Sequence, residues 1–92
     1  MNDTFCVYVI QNHLSKKIYI GYTSDLSVRL KRHNQILPSK KSSFTYKNHG
    51  IWKVVYKEIF NSKEKAQDRE KELKTSRGRE FIHNFLNGRS VN

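Results

Sequence analysis

A chain of 92 residues with 18 Lys and Arg against 8 Asp and Glu carries a formal charge of +10. Size excludes two full domains, and charge points to a polyanionic partner, nucleic acid before an anionic membrane. No apolar run nears the roughly 20 residues of a spanning helix and no signal-peptide pattern opens the chain, so a cytoplasmic domain with no membrane and no obligate protein partner is expected.

Five Phe, five Tyr and one Trp suffice for a modest core, so the charge decorates a fold rather than a disordered basic tail. Cys6 is the single cysteine, which excludes an internal disulfide and argues against a cysteine-based zinc site. Within the apolar run Phe5 to Ile10 it reads as a small buried thiol.

Phe5 to Gln11 and Lys17 to Thr23 are β-branched and aromatic runs separated by turn-type residues, Asn12 to Lys16, and predict an antiparallel hairpin. Ser24-Asp25 offers an N-cap, and Leu26, Leu30, His33 and Leu37 share one helical face, which predicts a helix from Asp25 to Leu37 stopped by Pro38. Pro38 to Gly50 reads as a basic loop with Phe44, Tyr46, Asn48 and His49 interleaved. Trp52 to Phe60 supplies a third strand, without which a lone hairpin would be marginal.

Asn61-Ser62 can cap a helix running to about Lys74, Gly78 marks or permits a break, and Phe81, Ile82, Phe85 and Leu86 recur at helical spacing in a last helix that packs on the sheet. Asn87 to Asn92 reads as a frayed tail. The expectation is therefore one α+β domain spanning residues 1–92, with its core over 5–86. Its three-stranded antiparallel sheet is flanked by helices in the order β-β-α-β-α-α.

Polar groups that periodicity places against a core cost free energy unless they have partners or work. Glu70 falls between Ala66 and Leu73 and is the carboxylate of that helical face. Two readings are open: a site residue, or a surface pair with Lys74 one turn on. Arg29 and His33 are one turn apart beside the Leu26/Leu30 stripe. A guanidinium there suits a phosphate, whereas the plainer reading makes Arg29 one of 18 cations and His33 a packing residue. Tyr8 and Tyr19 share a sheet face if the numbers of paired residues in the hairpin add to an odd value. Together the four would supply an acid/base group, a cation and a metal ligand for phosphodiester hydrolysis.

Cys6-Val7-Tyr8-Val9, ten residues between Tyr8 and Tyr19, and then Tyr19-Ile20-Gly21 resemble the paired motif of the GIY-YIG nuclease superfamily. The second half is literal, while in the first Cys6-Val7 stands for Gly-Ile with the tyrosine kept. The resemblance continues through YIGYTSDLSVRLKRHN, Phe44-Thr45, Gly50 to Tyr56 and Ala66 to Lys74. It covers about residues 5 to 86, and its later segments resemble small stand-alone members related to the N-terminal nuclease domain of the bacterial excision-repair C subunit, which points to DNA repair.

The resemblance implies a GIY-YIG-like fold, one divalent metal held by Glu70, a motif tyrosine that deprotonates the attacking water and Arg29 on the scissile phosphate. His33 and Lys74 enter as supporting contacts. The expected activity is metal-dependent endonuclease cleavage of nucleic acid, DNA ahead of RNA and single strands included, with Mg²⁺ or Mn²⁺. Tyr19 is the expected base, Tyr8 orients the water or substitutes, and Gly21 lets the substrate backbone come close or simply ends a strand. Lys40, Lys41, Phe44, Tyr46 and Lys47 pair cations with rings, as a site for an unpaired strand would, or form a solvated loop whose Phe44 tucks into the core. The alternative function is a non-catalytic basic nucleic-acid-binding module of the same fold.

Overall fold

A computed structural model describes residues 4–36 and 43–88. Strands β1 (Phe5–Asn12), β2 (Ile18–Thr23) and β3 (Trp52–Phe60) form one antiparallel sheet in the order β2-β1-β3. Helices are α1 (Leu26–His33), α2 (Phe44–Lys47), α3 (Lys63–Leu73) and α4 (Ser76–Leu86). The expected order holds, with α2 added as a single turn of helix inside the segment read as a loop.

The central strand explains the architecture. A strand buried on both faces reads as a continuous apolar run, and Cys6 to Ile10 is such a run, wholly buried. Its odd residues, Val7 and Val9, join Ile20, Ala66, Leu73 and Ile82 under α3 and α4. Its even residues, Cys6, Tyr8 and Ile10, join Trp52 with Tyr19, Leu26 and Leu30 under α1. The pairing of β1 with β3 shifts register between Val9 and Ile10. This irregularity gives β3 one residue more than β1, so that adjacent Val55 and Tyr56 both serve the α3/α4 core while Val54 serves the other.

Side chains hold the connections. Asn12 is buried; its Oδ1 accepts from the amides of Leu14 and Ser15, and its Nδ2 donates to the carbonyls of Asn48 and His49. One amide thus closes the hairpin and ties it to the chain entering β3. Asp25 Oδ1 accepts from Val28 N at 3.1 Å and starts α1.

That helix ends at His33, short of the expected Leu37. Asn34 caps it by donating to the Trp52 carbonyl at 3.0 Å and accepting from the Trp52 amide at 2.7 Å, and Gln35 then takes a positive φ of 64°. A tertiary contact, not Pro38, ends the described helix; Leu37, Pro38, Lys40 and Lys41 lie outside the described residues, as do 89–92.

Gly78 does not break the chain. The break lies at Lys74-Thr75, where Thr75 caps α4, and Gly78 sits inside the first turn of that helix. A Cβ at Gly78 would stand 2.6 Å from the Leu73 carbonyl carbon and closer still to Leu73 Cα and the Glu72 carbonyl oxygen. The glycine lets α4 pack directly on the last turn of α3. Gly78→Ala should therefore cost about 1–3 kcal/mol or more, because backbone must move. A urea midpoint unchanged from the parent would contradict this close packing.

Candidate active site

The register of the hairpin sets the site. Tyr8 pairs with Gly21 and Ile10 with Tyr19, an odd register, so both tyrosines stand on the α1 face with ring centroids 6.2 Å apart. An added methyl at Gly21 would lie 2.8 Å from the Tyr8 hydroxyl oxygen and 3.0 Å from a Tyr19 ring carbon. Tyr8 is buried and hydrogen-bonded, so its ring cannot give way. Tyr8 itself approaches Gly21 closely enough to call for a glycine there.

Beyond Tyr8 lies a buried relay. The Tyr8 hydroxyl is 2.8 Å from His33 Nε2, and His33 Nδ1 is 2.9 Å from Thr45 Oγ1. The Tyr19 ring packs on the imidazole at 4.8 Å. Burial holds the His33 pKa down at about 4, with Arg29 adding to the effect, so the imidazole is neutral near pH 7. Burial likewise pushes the Tyr8 phenol well above its ordinary range; Tyr19 and Glu70 push the same way and Arg29 opposes them. His33 is thus buried, hydrogen-bonded through both ring nitrogens and packed against Tyr19. Thr45, buried on α2, was missed by sequence reading because it sits among Ser, Lys and aromatic residues that look like solvated loop.

Glu70 reaches the same region from the opposite layer. Ala66 and Leu73 are buried beneath α3, as its periodicity predicts, and two polar ties set its position on the sheet. Gln67 Nε2 donates to the Tyr22 hydroxyl at 2.9 Å on the β2 side. Arg69 donates to both carboxylate oxygens of Glu58 on β3, pairs with Glu72 and stacks over Phe81. Tyr56 donates to Glu58 as well. Glu70 meets Lys74 Nζ at 3.4 Å, so the surface pair exists. The pair leaves the Glu70 side chain only 17% exposed.

One groove of about 470 Å³ gathers these groups: Tyr8, Tyr19, Gly21, Arg29 and Glu70 line it, with Lys63 from the first turn of α3. Its remaining walls come from the start of β1 and the end of β2, where both layers of the sheet can contribute. His33 stands behind Tyr8, and Lys74 meets the groove through Glu70. Phe44, 42% exposed, stacks on Tyr19 with centroids 6.4 Å apart and meets Trp52 edge-on. Tyr46 contacts His49, and Lys47 is exposed. Neither they nor Phe44 line the groove; Lys63, absent from the expected set, does.

The donor set can be weighed against a divalent ion. Among the described residues no cluster of three His, Cys, Asp or Glu side chains forms, which argues against a protein-enclosed transition-metal site. A lone carboxylate facing an open, phosphate-sized groove suits Mg²⁺ or Mn²⁺, which keep several waters and share substrate oxygens.

The GIY-YIG catalytic domain profile matches residues 4–83, and the chain belongs to that family, a nuclease superfamily. The UPF0213 proteins SAV0488 and SA0446 of Staphylococcus aureus strains Mu50 and N315 are each 30% identical to it over 73 residues, covering 79% of this chain and 83% of theirs. The solution structure of UPF0213 protein BH0048 from Bacillus halodurans superimposes with a TM-score of 0.52 at 27% identity, covering 89% of this chain and 84% of that one.

The buried histidine makes a pH prediction. His33 has a folded pKa below its unfolded value of about 6.5, so its contribution to stability is full above that value and is lost as pH falls toward 4. Between pH 7 and pH 4 the parent should lose on the order of 3 kcal/mol more than His33→Gln. Parallel loss in the two proteins, followed by denaturant unfolding, would show that His33 does not titrate in this window.

Proposed function

We propose that the protein is a metal-dependent endonuclease that hydrolyses phosphodiester bonds of nucleic acid, DNA foremost, in the groove between Tyr8, Tyr19, Arg29 and Glu70. The observation that carries this reading is the convergence, in one groove, of two phenols, a guanidinium and a carboxylate drawn from four separate elements. Packing alone does not require a carboxylate and an arginine to face the same opening.

Glu70 would hold the ion. When bound there, a divalent ion supplies Lewis-acid stabilisation to a non-bridging phosphate oxygen and to the departing 3′ oxygen. Arg29 is placed to donate to the scissile phosphate with its planar fork and to neutralise charge gathering on it. Tyr19 acts as base: as phenolate it takes a proton from the attacking water while the water oxygen bonds to phosphorus and the phosphorus bond to the 3′ oxygen breaks. Tyr8 stays protonated, because its burial disfavours the phenolate, and it orients the water or the phosphate. Lys63 and Lys74 flank the carboxylate and keep the approach to the groove positive.

A binding module without turnover remains the rival reading, and it is favoured by the Glu70–Lys74 pair, which a purely structural glutamate would also make. The two part company at Glu70→Ala. If Glu70 anchors the ion, cleavage of a labelled strand with Mg²⁺ or Mn²⁺ should fall by at least about a hundredfold, since such charge stabilisation is worth several kcal/mol. Affinity without metal should be unchanged or tighter, because a carboxylate next to the phosphate has gone. A folded variant that cuts at the parent rate sinks the metal assignment.

Binding itself should weaken with salt, with a logarithmic slope of roughly −0.7 to −0.9 per neutralised phosphate. A flat dependence would mean that the charge is not used on nucleic acid.

A further inference from the structure

A second hollow opens beside the groove, on the outer flank of α1. It holds about 260 Å³ and is lined by Thr23, Ser24, Asp25, Val28, Arg29 and Arg32. Thr23, Ser24 and Arg29 line the groove as well, so the two spaces adjoin and Arg29 borders both. Helical geometry gives the reason. At about 100° per residue, Leu26, Leu30 and His33 share the face of α1 that packs toward the sheet, while Asp25, Val28 and Arg32 share another, turned away from it. Arg29 falls between the two faces.

The charges in the hollow do not cancel. Asp25 is its one carboxylate, and Asp25 Oδ1 already accepts from Val28 N as the cap of α1. Thr23 Oγ1 accepts from the Asp25 amide at 3.1 Å, which ties that cap to the end of β2. Among the described residues neither Arg29 nor Arg32 lies within ion-pair distance of a carboxylate, in contrast to Arg69, which Glu58 and Glu72 hold. Two guanidiniums against one carboxylate leave the hollow positive, and the exposed Ser24 hydroxyl adds a neutral donor. The last turn of a helix favours any cation, but that preference does not bring a side chain to a cavity shared with Arg29. Lys31, exposed in the same turn, lines neither space.

We propose that Arg32, with Ser24 and Arg29, forms a second phosphate subsite, which holds the phosphate neighbouring the scissile one on the side away from Glu70. A planar guanidinium fork suits phosphate oxygens, and a strand whose phosphate lies at Arg29 can set its next one in the adjoining hollow. The substrate strand then runs from Lys63 and Glu70 across Arg29 to the flank of α1. Such a contact positions the strand and carries no sequence information. It calls for a nucleic acid that continues beyond the cut, as the substrate of an endonuclease does. The proposal rests on the nuclease reading for calling the first phosphate scissile, whereas the contact with Arg32 needs only a bound strand.

The first test uses no metal. Binding of a single-stranded oligodeoxynucleotide is measured across a salt series for the parent, Arg32→Gln and Lys31→Gln, each variant removing one charge from the same turn of α1. Arg32→Gln should reduce the logarithmic salt slope by roughly 0.7, one phosphate contact on a single strand, and Lys31→Gln should leave it at the parent value. Equal slopes for the parent and Arg32→Gln, or equal reductions in the two variants, overturn the subsite. The second test uses trinucleotides with Mg²⁺ or Mn²⁺, one with both linkages natural and two with a neutral methylphosphonate at one linkage or the other. One of the two neutralised isomers should raise the parent's KM about tenfold with kcat kept, and Arg32→Gln should show that raised KM on the natural trinucleotide and no further rise on the isomer. A lower kcat at unchanged KM, or an added penalty from the isomer in Arg32→Gln, overturns the assignment. If the parent cuts no strand, the nuclease reading fails, while the salt series still decides whether Arg32 takes a phosphate.

Discussion

Tyr8 lies buried across the backbone of Gly21, and the site is arranged around that packing. Because Gly21 has no side chain, the phenol can cross over β2 and reach His33 on α1 with its hydroxyl, while the same ring forms one wall of the groove. Had the edge strand carried an alanine there, the methyl would meet the hydroxyl at 2.8 Å. The bond to His33 and the seat of Tyr19 against the imidazole would both have to change. One missing methyl group thus joins the hairpin, the first helix and the groove into a single mechanical unit. Thr45 and the turn that bears it complete that unit from the chain between α1 and β3.

The second half of the site depends on how α3 is held. Ala66 and Leu73 supply the burial, but two apolar residues on a helix of charged ones leave its rotation weakly specified. Gln67 on Tyr22 and Arg69 on Glu58 remove that freedom from both sides of the sheet. Burial opposes the charge on Glu58, yet the bonds from Arg69 and Tyr56 hold its carboxyl below the usual range, so the tie is ionic at neutral pH. Glu70 is consequently delivered to the groove by neighbours that never touch it. Its pairing with Lys74 does not compete with an ion-binding role, since a carboxylate has two oxygens and several lone pairs to share.

Much of this was legible from residues alone, for physical reasons. Period-two and apolar runs bounded by turn residues specify strands, whereas a β1 run apolar on both faces leaves the hairpin register open, and it is the observed pairing of Tyr8 with Gly21 that puts Tyr8 and Tyr19 on one face. The face of α3 was legible because Ala66 and Leu73 are seven apart. What local patterns do not encode are partners distant in sequence. The end of α1 is set by Asn34 on Trp52, and Thr45 finds its partner in His33. Gly78 looks like a helix breaker until the last turn of α3 lies against it. That Tyr8 packs over Gly21 was not legible either, because Tyr8 comes from another strand. Arg69, one of many cations in the sequence, acquires its place only when β3 brings Glu58 beside it.

Titration of Mn²⁺ into the nitrogen-labelled free protein tests most directly whether the groove is a metal-assisted phosphodiester site, because a paramagnetic ion broadens resonances close to where it binds. Placement of the ion at Glu70 predicts that signals of Tyr19, Gly21, Arg29 and Glu70 are lost first, and that Glu70→Ala abolishes this broadening. Broadening centred on Glu58 and Glu72, or spread evenly over the surface carboxylates, would contradict the account.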